Sequence, residues 1–467
     1  MPFMKKNILI FTVPFLLAFL TSKVFCAEDS VDLENLLAER IRSVVAVEFF
    51  VETEIDRQPS SDLGIVADDA GLILLQDHAI PVWVPFEQLK QFKVRLLLGR
   101  EEFDATYLGQ ETLNGWHFIR VSDPDFHEKV VPVTAYDVAD VQIGEELWGF
   151  GVMDDDYDYE PYYLSGRFSL LRELPLPIGF TMTPVTSPGS LVFNQEGALV
   201  GWGAPSYLTD IVLYIHEERL PTAMQTTRTT GTFLPAKEVL PFLDKVPEDP
   251  KVYEIPWAGA IQLQPLEREV AKFMEIDDQG AVVLSEIIEK SPMAEAGMEK
   301  GDIVIAVDGK PLPYFRPDVA VTDFLQREVL RREIGEEMAF TVLRGSDKVE
   351  FEVTLGQRPP TLREAERQYF RDLGITVREF LLFDGVARRA GIETDQGVIA
   401  QFIRPNSPAA TAGLRPNDWI KEIDGIEISE YSQAIELLTQ AMEEERNEIV
   451  FLTSRQNETS VIRVRIR

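Results

Sequence analysis

Ser291-Pro292-Met293-Ala294-Glu295-Ala296-Gly297-Met298 recurs 116 residues later as Ser407-Pro408-Ala409-Ala410-Thr411-Ala412-Gly413-Leu414. The same offset carries Asp302 onto Asp418 and Asp308-Gly309 onto Asp424-Gly425, so the C-terminal half is one module used twice. Each copy spells a short helix, a strand and a tight turn. Ser291 and Ser407 suit the N-cap, and Pro292 and Pro408 the first helical position, where a missing N–H costs nothing. Gly297 and Gly413 suit the left-handed residue that ends a helix. An apolar run, Ile303 to Val307 in the first copy, then leads into Asp-Gly, a hairpin signal.

Outward from the repeat, the chain divides into three parts. Residues 31–244 hold short alternating runs such as Val44 to Val51 and Phe92 to Leu98, punctuated by turn signals such as Asp69-Ala70-Gly71. Many short strands with few long helical stretches imply a mainly β domain, a barrel or sandwich. Pro247-Glu248-Asp249-Pro250 marks a linker before the first module, 252–357. A second linker, 358–370, opens with Arg358-Pro359-Pro360 and reads as helical from Thr361 to Phe370, ahead of the second module, 371–467. The modules resemble the PDZ domain, an α+β fold that binds peptides.

The first 27 residues read as a secretory signal: Lys5 and Lys6, an apolar run from Ile8 to Leu20 broken by Pro14, then small residues near Cys26-Ala27. The run is short for a membrane span, so an exported, periplasmic protein with no stable span after cleavage is expected, secretion being the alternative. A lipid anchor on Cys26 is the rival reading, with Lys23 and Phe25 ill suited to such a site. Cys26 is the only cysteine, so no internal disulfide is available. The formal charge of −33 repels nucleic acid and anionic lipid. No phosphate-cradling or dinucleotide motif occurs. His117, His127 and His216 lack ligand spacing, so neither cofactor nor metal is expected.

A signal, a β domain and two PDZ-like repeats together resemble the HtrA/Deg family of envelope serine proteases. The resemblance implies a trypsin-like pair of β-barrels with a His, Asp, Ser triad. Leu63 to Ile80 resembles the family segment that ends in the catalytic histidine, which places His78 at that position. The stretch Phe103 to Gly109 resembles the lead-in to the family aspartate, whose position falls on Gly115. The stretch Leu191 to Gly201 resembles the strand and turn after the family Gly-Asn-Ser-Gly-Gly-Pro motif. Counting back, that motif becomes Thr186-Ser187-Pro188-Gly189-Ser190-Leu191, with Pro188 at the nucleophile.

Triad hydrolysis requires a hydroxyl, a base, an acid that orients the base, and two N–H donors for the oxyanion. Pro188 supplies neither hydroxyl nor N–H. Ser187 is the substitute nucleophile, biased toward extended backbone by the proline that follows it. Gly115 cannot orient His78, Asn114 would do so weakly, and Glu111 would need a different loop path. The expected outcome is a pseudoprotease, with His78 a relic or residual base. The alternatives are an active serine endopeptidase using Ser187 with His78, and a non-catalytic assembly scaffold. Asp154 to Tyr163, an acidic-aromatic run, reads as a solvated surface loop, the functional alternative being an exosite for basic peptides or a weak Ca²⁺ site.

PDZ recognition adds the ligand as a strand to a sheet edge, its terminal carboxylate held by backbone N–H groups of the preceding loop. Ala258-Gly259-Ala260-Ile261 occupies the loop position in the first module, and Leu373-Gly374-Ile375 in the second. Leu263 joins Ile261 on the groove side of the first binding strand. Phe324 and Leu325 supply the opposite wall there, and Tyr431, Ala434 and Leu438 in the second module. The partners implied are peptide C-termini or unfolded segments of envelope proteins. The family resemblance adds a possible homotrimer.

Overall fold

The computed structural model describes residues 33–172, 175–204, 231–249, 254–388, 397–456 and 458–466. The signal segment, Cys26 and His216 lie outside them. Among the described residues no helix is long and apolar enough to cross a membrane.

The β domain is two barrels sharing a seam. In the first, the strands run Glu102–Asp104, Leu89–Leu96, Val44–Glu52, Arg57–Val66, Leu72–Leu75, His117–Arg120 and Thr106–Gln110. The two outermost strands are consecutive in the chain, so the sheet curls back on itself. In the second, six antiparallel strands close completely, from Glu146–Val152 to Gly231–Pro235. Strand alternation explains why some strands are apolar at every position. Val45, Val47 and Phe49 fill the first barrel, while Val44 and Ala46 on the other face of the same strand join the seam. Leu147 and Val192 likewise fill the second barrel, and Trp148 and Leu191 face the first. The seam gathers Trp116, Phe118, Trp148, Phe150, Phe193 and Trp202, with the Trp116 and Trp202 rings edge-on at 5.3 Å. Each such side chain stabilises the pairing by roughly 2–3 kcal/mol, so the barrels behave as one body.

Both modules follow one plan, and the repeated block forms as its residues dictate. Ser291 and Ser407 accept the N–H of Ala294 and Ala410. Gly297 and Gly413 end the turns at φ +88° and +97°. Asp308-Gly309 and Asp424-Gly425 take positive φ at both positions, the turn that matches strand twist. An unforeseen latch repeats too: Arg344 grips buried Asp302 at 2.8 and 2.7 Å, and Arg455 grips buried Asp418 at 2.6 and 2.6 Å.

In the first module, strand β1 (Ala260–Pro265) faces helix α1 (Ala320–Leu330). In the second, strand β3 (Ile375–Glu379) faces helix α2 (Tyr431–Glu443). The linker departs from the helix its composition suggests. Leu362 to Glu364 form only a turn, and Arg367–Phe370 is a strand, β2, paired antiparallel with β3. Backbone pairing with β3 outweighs the helix propensity of this polar stretch.

Candidate functional site: the inter-barrel cleft and the two peptide grooves

His78 lies in the short turn Asp77–Ala79, directly after the strand Leu72–Leu75. Its Nε2 is 3.2 Å from Asp62 Oδ2, and its Nδ1 is 3.9 Å from Asp77 Oδ1. Burial pushes both carboxyls above their ordinary range, with His78 pulling against it. The imidazole is therefore bracketed by acids, and the nitrogen facing Asp62 is already engaged. Among the described residues no hydrogen bond joins His78 to Ser187. Asp62 precedes His78 by a whole hairpin, and no sequence signal marked the pair.

The loop at the expected acid position serves other ends. Glu111 accepts the N–H groups of Leu113 and Asn114 at 2.6 and 2.7 Å, closing its own turn. Burial raises its pKa. Asn114 Oδ1 accepts from Arg327 on α1 at 2.8 Å. Gly115, at φ +75°, offers its carbonyl to Gln110. None of these groups orients His78.

Around the nucleophile position Ser187 and the amides that follow it are likewise engaged. Ser187 Oγ accepts the Val152 N–H at 3.0 Å. Ser187 N–H donates to Phe150 O, Gly189 N–H to Gly203 O and Ser190 N–H to Ser187 O. Pro188 has no N–H to offer. Ser190 Oγ is buried without a partner, out of reach of any peptide. Gly203 O also accepts Gln76 Nε2 at 2.6 Å, so a buried strut from the first barrel ties down this loop.

The other two described histidines, His117 and His127, are structural. His117 is fully buried, its Nδ1 2.9 Å from the Tyr107 hydroxyl. Burial, aided by nearby Arg363, pushes its pKa down to about 3. His127 Nε2 meets Val121 O. Among the described residues no cluster of three or more His, Cys, Asp or Glu is placed to hold a metal. The acidic loop is largely solvated, with Asp154 to Tyr157 and Glu160 exposed, but it is anchored at one point. Asp158 pairs with Arg100 at 2.8 Å, and Tyr159 is buried beside it.

The repeated Ser-Pro block supports the peptide loops. Met293 N–H donates to Ala258 O and Ile288 N–H to Gly259 O. Because a trans peptide sets C=O and the following N–H opposite one another, this turns the N–H groups of Gly259 and Ala260 toward the groove mouth. The second copy repeats the device, with Ala409 N–H to Leu373 O and Arg404 N–H to Gly374 O. Glycine is compulsory at both loops. A Cβ on Gly259 would lie 2.1 Å from Ser291 Oγ, and one on Gly374 2.3 Å from Ser407 Cβ.

The predicted groove residues divide unequally. Ala260, Ile261, Leu263 and Phe324 stay half-buried, while Ala258 and Leu325 are buried. In the second module Leu373, Ile375, Ala434 and Leu438 are all fully buried and Tyr431 is half-buried. At the far end of β1 a cavity of 260 Å³ opens between Leu266, Arg268, Tyr314, Arg316, Asp318 and Val321.

Paired barrels followed by two α+β modules define a trypsin-like protease fold carrying tandem peptide-binding domains. The PDZ domain model matches residues 261–355 and a second PDZ model matches 403–453. A probable periplasmic serine endoprotease, DegP-like, from Hahella chejuensis is 22% identical over 401 residues, covering 81% of this chain and 75% of that protein. Its counterpart from Halomonas elongata is 24% identical over 397 residues, covering 82% and 74%. The HtrA-type protease AlgW, solved as a variant with a tripeptide, shares the fold at a TM-score of 0.51 and 16% identity, covering 71% of this chain and 99% of that one. Together these findings show that the chain is similar to HtrA-type proteases and carries two PDZ domains.

Proposed function

We propose that this chain is an exported HtrA-like pseudoprotease that binds C-termini or unfolded segments of envelope proteins without cleaving them. The observation that carries the reading is that His78 and Ser187 are engaged with partners other than each other. His78 Nε2 is 3.2 Å from an aspartate, and Ser187 Oγ accepts a backbone N–H. The amides of residues 187, 189 and 190 are all donated elsewhere. The nucleophile's own amide, one of the two donors an oxyanion needs, is thus spent in either serine register, and loss of one such donor costs roughly 10²–10³ in turnover.

Binding rests on the first module. Its loop turns two N–H groups outward and its strand β1 borders the sheet, the arrangement that captures a terminal carboxylate and adds the ligand as a strand. The cavity beyond β1, with Arg268, Arg316 and Asp318 around Tyr314, suits a polar side chain several residues upstream of the ligand's C-terminus. The test is cleavage of a fluorophore-quenched unfolded protein by the mature chain, beside Ser187→Ala and His78→Ala. The expected result is no turnover in any of the three, with the substrate retained in a pull-down. Turnover abolished by both substitutions would make Ser187 the nucleophile and the chain a protease.

A further inference from the structure

The two modules, alike in fold, differ at the edge where a peptide would dock. In the first, β1 pairs only with Val282–Ile287 and ends its sheet. In the second, β3 pairs on one side with Val398–Ile403 and on the other with β2. A binding strand has two edges, and here both are taken. The register is Arg367 to Arg378, Gln368 to Val377, Tyr369 to Thr376 and Phe370 to Ile375, antiparallel, the direction a captured peptide would take with its end at the carboxylate loop.

That loop is also spent. Gly374 N–H, which its counterpart in the first module leaves turned to the groove mouth, donates to Phe370 O at 2.8 Å. The Phe370 carbonyl thus stands where a ligand's terminal carboxylate oxygen would. The groove wall agrees, since Ala434 and Leu438 on α2 are 0% exposed and Phe370 packs into the same core.

We infer that Arg367–Phe370 is an intramolecular ligand of the second PDZ groove, so that free peptide is captured by the first module alone. This refines the binding reading above and rests on it only for the free peptide. The tether is four residues, Arg371 to Gly374, and short tethers give effective concentrations of about millimolar or more. A free peptide of micromolar affinity, present at micromolar concentration, does not displace such a strand.

Hydrogen exchange on the full mature chain tests the occlusion without any peptide. Amides of Ile375–Glu379 are expected to be protected in the free protein, and Tyr369→Pro is expected to speed those facing β2 at least tenfold. Fast exchange there in the unliganded wild type would overturn the proposal, whatever the variant does. Titration with a fluorescent decapeptide ending in Ala-Leu-Val gives the second arm. One peptide per wild-type chain, slowing exchange at Ala260–Pro265 and leaving Ile375–Glu379 unchanged, is expected, rising to two in Tyr369→Pro. Two peptides per wild-type chain, or a new footprint on Ile375–Glu379, would refute it. No binding at either module would sink the client-binding function while leaving the occlusion to stand on its exchange data.

Discussion

Replacing Gly259 with alanine tests the claim that the repeated Ser-Pro block exists to support the carboxylate loop. Gly259 sits at φ +108°, and a side chain there costs about 1–2 kcal/mol in backbone strain. The new Cβ would lie 2.1 Å from Ser291 Oγ and 2.3 Å from Ser291 Cβ, so rotating the hydroxyl away does not clear the clash. Moving the backbone adds about 1–3 kcal/mol, and losing the Ser291 cap adds about 1 kcal/mol. The sum is about 3–6 kcal/mol. In a three-domain chain a single melting temperature does not resolve this, so the assay is hydrogen exchange of the first module in the full protein, with the second module as internal control. Amides that exchange by opening of the module should speed up by about 10²–10⁴-fold. Ser291→Gly alone should cost only a few tenths of a kcal/mol, yet in the double variant it should recover about 2 kcal/mol. A Gly259→Ala protein within about 0.5 kcal/mol of wild type, or one with no coupling to Ser291→Gly, would refute the reasoning.

Three further outcomes follow from buried polar groups. Burial pushes the Asp302 carboxyl up, but the Arg344 bonds and the Glu299 N–H outweigh it and hold its pKa below the ordinary value. Its contribution is therefore complete above the unfolded carboxylate pKa and is lost as pH falls through the lower folded value. Asp302→Asn should flatten that acid limb and destabilise the first module by about 3 kcal/mol, read by exchange at Ile303–Val307. His117, held neutral down to about 3, makes the first barrel lose stability as pH falls from its unperturbed 6.5 toward 3, by about 1.4 kcal/mol per unit. His117→Gln should remove that slope in acid unfolding followed by fluorescence. Arg363 on the linker, 7% exposed, donates to Ile80 O at 3.2 Å, Pro81 O at 2.8 Å and to Gln110. Arg363→Ala strands those carbonyls at about 1–3 kcal/mol, so limited proteolysis within 358–370 should accelerate at least tenfold, and an unchanged rate would show the linker is held elsewhere.

What the sequence made legible was local. Ser291-Pro292, Gly297 and Asp308-Gly309 act through their own backbone or a neighbour within three residues, so propensity alone locates them. Val44 to Val47 is apolar at every position, which shows a strand covered on both faces before Glu48 breaks the run. What stayed hidden depends on partners far along the chain. Arg344 reaches Asp302 across 42 residues, Asp62 reaches His78 from the strand Arg57–Val66, and Arg363 reaches Ile80 across 283. The linker strand was missed for the same reason. Nothing within Thr361 to Phe370 announces an open edge waiting on β3.

The edge-on contact of Trp116 and Trp202 has a practical corollary. The two indoles belong to separate barrels, with centroids 5.3 Å apart and planes 70° to each other. Transitions of chromophores this close and this inclined couple, giving paired near-ultraviolet circular-dichroism bands of opposite sign. The coupling fades steeply once the rings separate. The seam thus carries a built-in optical ruler, absent from Trp116→Phe or Trp202→Phe, that would register barrel opening without any attached label.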